Sequence, residues 1–105
     1  MLTVRYQFYV LPRHHEHFRH AWLAAQDTLR GFLGLVQCRL REPEQRERPF
    51  TMEFDWCHQA GFERFKRTWL GVWLINGMGL SPEDFLRPPC REQSPGELSE
   101  HIDIR

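Results

Sequence analysis

The chain places its most chemically suggestive residues at the end of one strand-like run and in the segment that follows. Phe50, Met52, Phe54 and Trp56 alternate with polar residues and predict a strand that ends at Trp56. The next segment carries aromatic residues at helical spacing, which places Trp56 at the mouth of a space between a sheet and a helix. A tryptophan here could position an aromatic substrate. Equally, it could close the core, with its indole N–H on a backbone carbonyl.

Two further tryptophans lie in the predicted second helix. Trp69 and Trp73 are four residues apart, on one stripe with Phe62 and Phe65. Such a pair could form the wall of a site for a flat aromatic ligand, although the same spacing is typical of a core. We expect Trp69 to be a core residue and Trp56 to lie at a pocket rim, because one is mid-helix and the other ends a strand.

Polar groups near the predicted space are few. Asn76 belongs to the turn Asn76-Gly77-Met78-Gly79, where it could hydrogen-bond a ligand carbonyl or cap the helix, and we favour the cap. Tyr6 and His58 are the other two polar residues expected near the pocket. None of the three is an obvious general base.

Metal and nucleophile sites are not favoured by the remaining candidates. Four histidines cluster at the start of the first predicted helix: His14, His15, His17 and His20. Two imidazoles on one exposed turn supply only half of a metal's ligands, so a solvated polar face is the better interpretation. Cys57 and His58 are sequence neighbours that point apart, which disfavours a nucleophilic pair. We expect no bound metal and no cofactor.

The elements around these residues follow a β-α-β-β-α order with room for a last strand. Strands are predicted over 2–11, 34–42 and 50–56, and helices from Pro12 to about Arg30 and from about Gln59 to Asn76. Residues 81–85 suggest a capped helical turn, 88–97 a loop and 98–105 an edge strand. This order predicts an α+β, ferredoxin-like βαββαβ domain with both helices on one face of the sheet.

The other face of the predicted sheet has mixed charge. Seven residues share it: Thr3, Arg5, Gln7, Arg39, Thr51, Glu53 and Asp55. Such a face can remain in water, as antiparallel sheets often do. It can also meet the same face of a second copy, with Arg5 or Arg39 pairing with Glu53. Patterning alone leaves both arrangements open.

Size and composition restrict the function classes. The 105 residues suffice for one domain, and 14 basic residues balance 14 acidic ones. Without a net positive field we expect neither nucleic acid nor an anionic membrane as a partner. The longest apolar run, 69–80, is broken by glycines and is too short to cross a bilayer. Three cysteines and no secretory segment predict a cytoplasmic location.

Together these residues resemble the antibiotic biosynthesis monooxygenase (ABM) family of the dimeric α+β barrel superfamily. The matching segments are the first strand 4–10, the step Gly31-Phe32-Leu33-Gly34, the strand end Phe54-Asp55-Trp56 and the helix start 60–65. The resemblance covers roughly residues 2–75. It implies two ferredoxin-like protomers packed sheet to sheet, each with a ligand pocket between sheet and helices. Some members oxidise polycyclic phenols with oxygen and no bound cofactor, while relatives bind and degrade haem.

The predicted substrate-binding residues are Phe8, Trp56, Phe65, Trp69, Trp73 and Asn76, and of these Trp56 matches the strand-end Trp of the family. Met52 stands where active phenol oxygenases have Asn, and Phe65 where haem-degrading relatives have an iron-ligating His. The resemblance therefore implies a homodimeric ABM-type monooxygenase for a small aromatic or quinone-like substrate, cofactor-independent if active. The alternative is a non-catalytic dimer that binds an apolar ligand or a protein partner.

Overall fold

The computed structural model describes residues 1–45 and 48–92. The elements are strand β1 (Leu2–Val10), helix α1 (His15–Arg30), strands β2 (Leu35–Arg41) and β3 (Phe50–Trp56), helices α2 (Gln59–Arg67) and α3 (Trp69–Ile75), and strand β4 (Phe85–Glu92). A single turn of 3₁₀ helix precedes α1 at Pro12–His14, and another precedes β4 at Pro82–Asp84. The predicted βαββαβ order is confirmed, with the second helix divided in two.

The four strands form one antiparallel sheet in the order β2-β3-β1-β4. β1 and β3 are the central pair, in register from Leu2 opposite Trp56 to Phe8 opposite Phe50. This arrangement is the predicted ferredoxin-like α+β sheet. Because side chains alternate across a strand, the register directs the apolar residues of both central strands to one face.

The core lies between that face and the helices. Its helical contribution comes from residues spaced three or four apart on α1, namely Phe18, Trp22, Ala25 and Leu29, and from Phe62, Phe65 and Leu74 of α2 and α3. Aromatic rings dominate the contact: Phe18 lies 5.2 Å from Phe8 and 4.8 Å from Phe50 between ring centroids. In the described part of the chain, the helices therefore cover one face of the sheet.

The last strand lies earlier in the chain than the sequence suggests. The loop predicted over 88–97 is wrong for residues 88–92, because β4 occupies them and pairs with β1. Pro88 and Pro89 suggest a loop, but β4 is an edge strand, where proline is tolerated. They lie between the pairs Tyr9–Arg87 and Gln7–Cys90, where a register shift sets two residues opposite one. The edge strand predicted over 98–105 lies outside the described residues.

The predicted continuous second helix is also wrong, since it breaks at Thr68. The Thr68 hydroxyl donates to the carbonyl of Phe65 at 2.7 Å and accepts from the amide of Gly71 at 3.0 Å. It thereby ends α2 and caps α3 at its start. The break restarts the helical phase, so residues after it face a different direction from those before it.

The other edge of the sheet also has a register shift. β2 slips against β3 between Leu35 and Gln37, and the intervening Val36 is exposed, although simple alternation along β2 would place it on the same face as Cys38 and Leu40. Within the described ranges, no helix has the length and apolar character needed to cross a membrane.

Candidate functional site

The structure encloses Trp56 completely. Its indole is fully buried, and its ring centroid lies 5.3 Å from Phe65, 6.2 Å from Phe62 and 6.5 Å from Phe54. Gly61 lets α2 approach this closely, because a Cβ there would lie 3.3 Å from the Trp56 ring. The expected rim position is therefore wrong, and Trp56 lies within an aromatic layer between β3 and α2.

One atom of this layer lacks a partner. The Trp56 Nε1–H is buried and finds no hydrogen-bond acceptor among the described residues. A buried donor without a partner costs roughly 1–3 kcal/mol relative to one that is paired. The indole nitrogen is thus a polar point in otherwise apolar surroundings. A ligand oxygen that reached it would recover this energy.

Two other candidates from the sequence are also buried in the core, but only one of them lies beside Trp56. Phe65 is fully buried between Trp56 and Phe32, whose ring meets it edge-on at 5.1 Å. Phe8 is also fully buried, but it lies at the far end of β1 and contacts Phe18 instead. Phe8 and Trp56 therefore lie at opposite ends of the central strand pair.

The remaining three candidates are brought together elsewhere, on the outer side of α3. Trp69 and Trp73 stack with centroids 6.1 Å apart and planes inclined by 10°. With Asn76 they line an open cavity of about 310 Å³, which we call the outer groove. Trp69 is 79% exposed, so its expected core position is wrong. The break at Thr68 turns it away from the stripe that buries Phe62 and Phe65.

Asn76 ends α3, as the favoured interpretation predicts. Its side-chain amide donates to the carbonyl of Val72 at 2.8 Å. The other two expected polar groups are separated from it: Tyr6 is buried on the inner face of β1, while His58 is exposed before α2. These three side chains therefore do not converge on one site.

The outward face of the sheet carries a compact ionic network. Glu53 is only 1% exposed, and its carboxylate accepts from Arg5 Nε at 2.6 Å and from Arg39 Nε. Asp55 accepts from Thr3 Oγ1 and Gln37 Nε2, each at 2.7 Å. All these contacts lie within one chain, between neighbouring strands.

Both carboxyl groups on this face are held in the ionised form. Burial raises the pKa of the Glu53 carboxyl, but the hydrogen bonds from Arg39 and Arg5 lower it by more than burial raises it. The pKa of Glu53 therefore lies below its usual range. For Asp55, burial is likewise outweighed by the donors Gln37 and Thr3, and its pKa is lowered. The network is thus a stable charged surface near neutral pH.

The histidines and cysteines are dispersed. His14 approaches Asp84 at 3.0 Å, His15 Nε2 lies 3.1 Å from the carbonyl oxygen of Val10, and His17 is exposed. In the part of the chain that the structure describes, no three His, Cys, Asp or Glu side chains converge as a metal site. Cys57 is exposed, and burial raises the pKa of the Cys38 thiol. These residues offer no evident catalytic centre.

One functional candidate escaped the sequence reasoning. Arg87 on β4 lines a second cavity, of about 610 Å³, that shares Asn76 and Leu80 with the outer groove. The sequence placed Arg87 before a proline-rich loop, and nothing in its spacing linked it to the α3 aromatics. Only the pairing of β4 with β1 brings it there.

Comparison with solved structures gives the fold relationship. A Pseudomonas aeruginosa protein matches with a TM-score of 0.66 at 22% identity, over 88% of this chain and 89% of its own. An antibiotic biosynthesis monooxygenase matches with a TM-score of 0.70 at 13% identity, over 90% and 100%. A Mycobacterium tuberculosis protein matches with a TM-score of 0.70 at 15% identity, over 89% and 92%.

No family profile and no curated sequence matches the chain. Identities this low relate backbones rather than activities. The shared backbone nevertheless covers 88–90% of this chain in these three matches. The chain therefore has the fold of the antibiotic biosynthesis monooxygenase proteins.

Proposed function

We propose that this protein is a homodimeric ABM-type monooxygenase that binds a small aromatic or quinone-like molecule between its sheet and its helices. The observation that carries the proposal is the buried Trp56 Nε1–H with no acceptor among the described residues. A quinone carbonyl or phenol oxygen is an acceptor of the required kind. The rings of Phe54, Phe62 and Phe65 supply the flat apolar surface that an aromatic ligand would contact.

The proposed reaction uses no bound cofactor. The substrate itself would supply an electron-rich phenolate or carbanion to dioxygen. The protein would contribute an apolar enclosure, orientation of the substrate and a hydrogen bond to its oxygen. Trp56 would make that hydrogen bond, and Phe65 would lie against the aromatic ring of the substrate, whereas Phe8 is too far along the strand to contact the same small molecule. Trp56 and Phe65 are in ring contact, 5.3 Å apart.

A second candidate function, binding without catalysis, is favoured by two positions. Met52 and Phe65 occupy the places where the resemblance would put an amide and an imidazole, and both are fully buried among apolar side chains. Neither side chain can exchange a proton, and Phe65, at the imidazole position, has no atom that could ligate iron. A homodimer that binds an apolar ligand, or a protein partner, would need nothing more at these positions.

Binding can be tested with 9-fluorenone, a flat ketone that offers one acceptor oxygen. Fluorene has the same rings without the carbonyl and serves as the matched ligand. We expect fluorenone to shift the Trp56 indole N–H resonance and to bind more tightly than fluorene. Trp56→Phe keeps a ring but removes the N–H, so fluorenone binding should weaken about tenfold, the value of one hydrogen bond, while fluorene binding changes little.

Trp22→Phe is the matched variant in the same core, because Trp22 is a buried tryptophan of α1 beside Phe54. It should leave fluorenone binding unchanged. Equal binding of fluorenone and fluorene would refute the role of Trp56. Oxygen uptake with anthrone then separates the two functions: uptake by the metal-free protein supports oxygenation, and binding without uptake supports the non-catalytic alternative.

A further inference from the structure

A cationic side chain lies on the side of the sheet that the helices cover. Arg91 of β4 is paired directly opposite Tyr6 of β1, and Tyr6 is buried in the core on that side. Because residues directly opposite each other in an antiparallel pair share a face, the Arg91 side chain points towards the helices. Its guanidinium carbon lies 4.9 Å from the centroid of the Phe62 ring on α2. Arg91 therefore lies between β4 and α2.

An irregularity in β4 gives Arg91 this direction. β4 advances three residues between the partners of Tyr9 and Gln7, which are only two residues apart on β1. In a regular strand Arg87 and Arg91, four residues apart, would share one face. The extra residue reverses the alternation, so Arg87 lies over Tyr9 on the outward face and Arg91 points inward. Bulges of this kind often re-aim a side chain beside an active site.

Phe62 lies between Arg91 and the proposed binding site. The Phe62 ring centroid is 6.2 Å from that of Trp56, whose buried N–H has no acceptor among the described residues. The same Phe62 ring also contacts the Arg91 guanidinium. A hydrogen-bond donor and a cation are therefore separated by a single aromatic ring. A flat ligand with oxygen atoms at both ends would contact both groups.

The surroundings of Arg91 favour the binding of an anion. The side chain is half-buried, and its Nε atom is buried. Lys66 Nζ lies 4.9 Å from the centroid of the same Phe62 ring and pairs with Glu63 at 3.1 Å. Two cations therefore adjoin one ring at the edge of the aromatic layer. Charges attract more strongly here than in bulk water because the effective dielectric constant is lower. The planar guanidinium also matches the two oxygens of a carboxylate.

Packing alone gives a second explanation of this position. A long arginine stem can cover an aromatic ring while its charged head remains in water. Contact with Phe62 would satisfy such a role, which requires no preference among ligands. The irregularity, however, directs Arg91 inward and the smaller, exposed Cys90 outward. An apolar side chain would cover the ring without the cost of desolvating a charge. Packing therefore does not explain why the inward residue is an arginine.

We propose that Arg91 determines the specificity of the site between sheet and helices, by selecting an aromatic ketone or quinone that carries a carboxylate. The inference rests on the function proposed above, since it concerns the same site. The ligand carboxylate would bind the Arg91 guanidinium, and its ketone oxygen would accept from Trp56. The aromatic rings would lie against Phe62 between these two contacts. The substrate class thereby narrows from any small aromatic molecule to an anionic one.

9-Fluorenone-2-carboxylate is the probe, and 9-fluorenone-2-carboxamide is its neutral match. Titration calorimetry should show that the carboxylate binds about tenfold more tightly to the parent protein, the size of a charge-assisted contact. Arg91→Gln should remove this preference, whereas Arg91→Lys, which keeps the charge, should retain part of it. Arg87→Gln removes an arginine from the outward face of the same strand, and it should leave the preference unchanged.

A role of Arg91 in packing alone would give a different result. Arg91→Gln would then change the affinity of both probes by the same factor, and their ratio would stay constant. That outcome, or equal affinity of the two probes for the parent protein, would overturn the assignment of Arg91.

Neutral 9-fluorenone tests the contact with Trp56 separately, because it lacks the carboxylate. Fluorenone binding that Trp56→Phe weakens, without any preference for the carboxylate probe, would refute the role of Arg91 and retain the proposed function. If Trp56→Phe left both probes unaffected while Arg91→Gln abolished the preference, the role of Arg91 would stand and that of Trp56 would fail.

Discussion

At the scale of single residues, the two tryptophans that end β3 and begin α3 have opposite environments. Trp56 is fully enclosed by aromatic rings, while Trp69 exposes most of its indole and contacts Trp73. Burial decides the energetic role of each, because apolar area contributes to folding only when it is removed from water. The side chain of Trp56 should therefore contribute more to the stability of the fold than that of Trp69.

Truncation of each tryptophan tests this contrast. We expect Trp56→Ala to lower the free energy of unfolding by about 3–5 kcal/mol, the typical cost of deleting a buried aromatic side chain. Trp69→Ala should cost less than about 1 kcal/mol, as for other surface substitutions. Urea unfolding followed by circular dichroism measures both. Equal losses for the two variants would contradict the assignment of Trp69 to the surface.

At the scale of elements, the break between α2 and α3 determines where the aromatic side chains point. The chain turns tightly here because Gly71 lies directly against the end of α2. A Cβ on Gly71 would lie 1.9 Å from the Phe65 carbonyl oxygen and 3.1 Å from Thr68 Oγ1. Glycine is therefore needed at this position for close packing. Gly71 thus helps to keep the buried side chains of α2 and the outer groove beside α3 on different sides of the helical layer.

Gly71→Ala should be destabilising for this reason. The added methyl group forces the backbone of Phe65 and Thr68 apart, and overpacking of this kind costs about 1–3 kcal/mol. Gly31→Ala is the control, since its nearest neighbour would be 3.5 Å away at ordinary contact distance and its φ is negative. It should be neutral or slightly stabilising. Thermal unfolding of both variants gives the comparison, and equal melting temperatures would contradict the tight turn.

The stability contributed by the sheet face opposite the helices depends on pH. The pKa values of Glu53 and Asp55 are lower in the folded protein than in the unfolded chain, where carboxyl pKa values are near about 4. The two ionised carboxylates therefore make their full contribution to stability when the pH is above the unfolded pKa values. It is lost as pH falls through the lower folded values. We expect the urea midpoint to be steady from neutral pH to about 5 and to decrease below about 4.

Glu53→Gln should be less stable than the parent at pH 7 and should show a shallower decrease with acid, because it lacks the carboxylate that Arg5 and Arg39 hold. The matched variant is Glu63→Gln, whose carboxylate pairs with Lys66 on the surface of α2. Its profile should follow that of the parent. A Glu53→Gln profile as steep as the parent's would assign the acid sensitivity to other groups.

At the scale of the whole molecule, residues 1–45 and 48–92 place no second layer on one side of the sheet. The helices cover the apolar face, and the opposite face presents the network of Glu53 and Asp55 with their arginine, threonine and glutamine partners. Since Glu53 is already paired within its own chain, it is not the free carboxylate that a second copy would need. A sheet-to-sheet dimer would instead bury the network intact and add polar contacts around it.

We expect light scattering at micromolar concentration to give twice the 12.7 kDa mass of one chain. Gln7→Lys should shift the mass towards 12.7 kDa, because an added ammonium on a face already rich in arginine would be desolvated without a partner. Gln26→Lys, the same substitution on α1, should leave the mass unchanged. A single-chain mass for the parent protein would refute the dimer.

The order and type of most elements can be predicted from local sequence patterns. Alternation of apolar and polar residues over 2–10 and 50–56 predicts both central strands and their inward faces. The spacing of apolar residues along α1 predicts its buried side. Both predictions succeed because the periodicity of side chains along a strand or helix is a local property of the chain. The ferredoxin-like architecture followed from that order. The same alternation placed Glu53 and Asp55 on the outward face, where both of them lie.

Tertiary structure decided where the candidate site residues meet. Whether a strand-end tryptophan is a rim or a core residue depends on how closely α2 packs, which Gly61 permits and no periodicity reveals. The side on which Trp69 emerges depends on the capping contacts of Thr68. The position of Arg87 depends on an irregular β4 that accommodates two prolines opposite β1. Each is a contact between elements, and such contacts are not encoded in the spacing within one element.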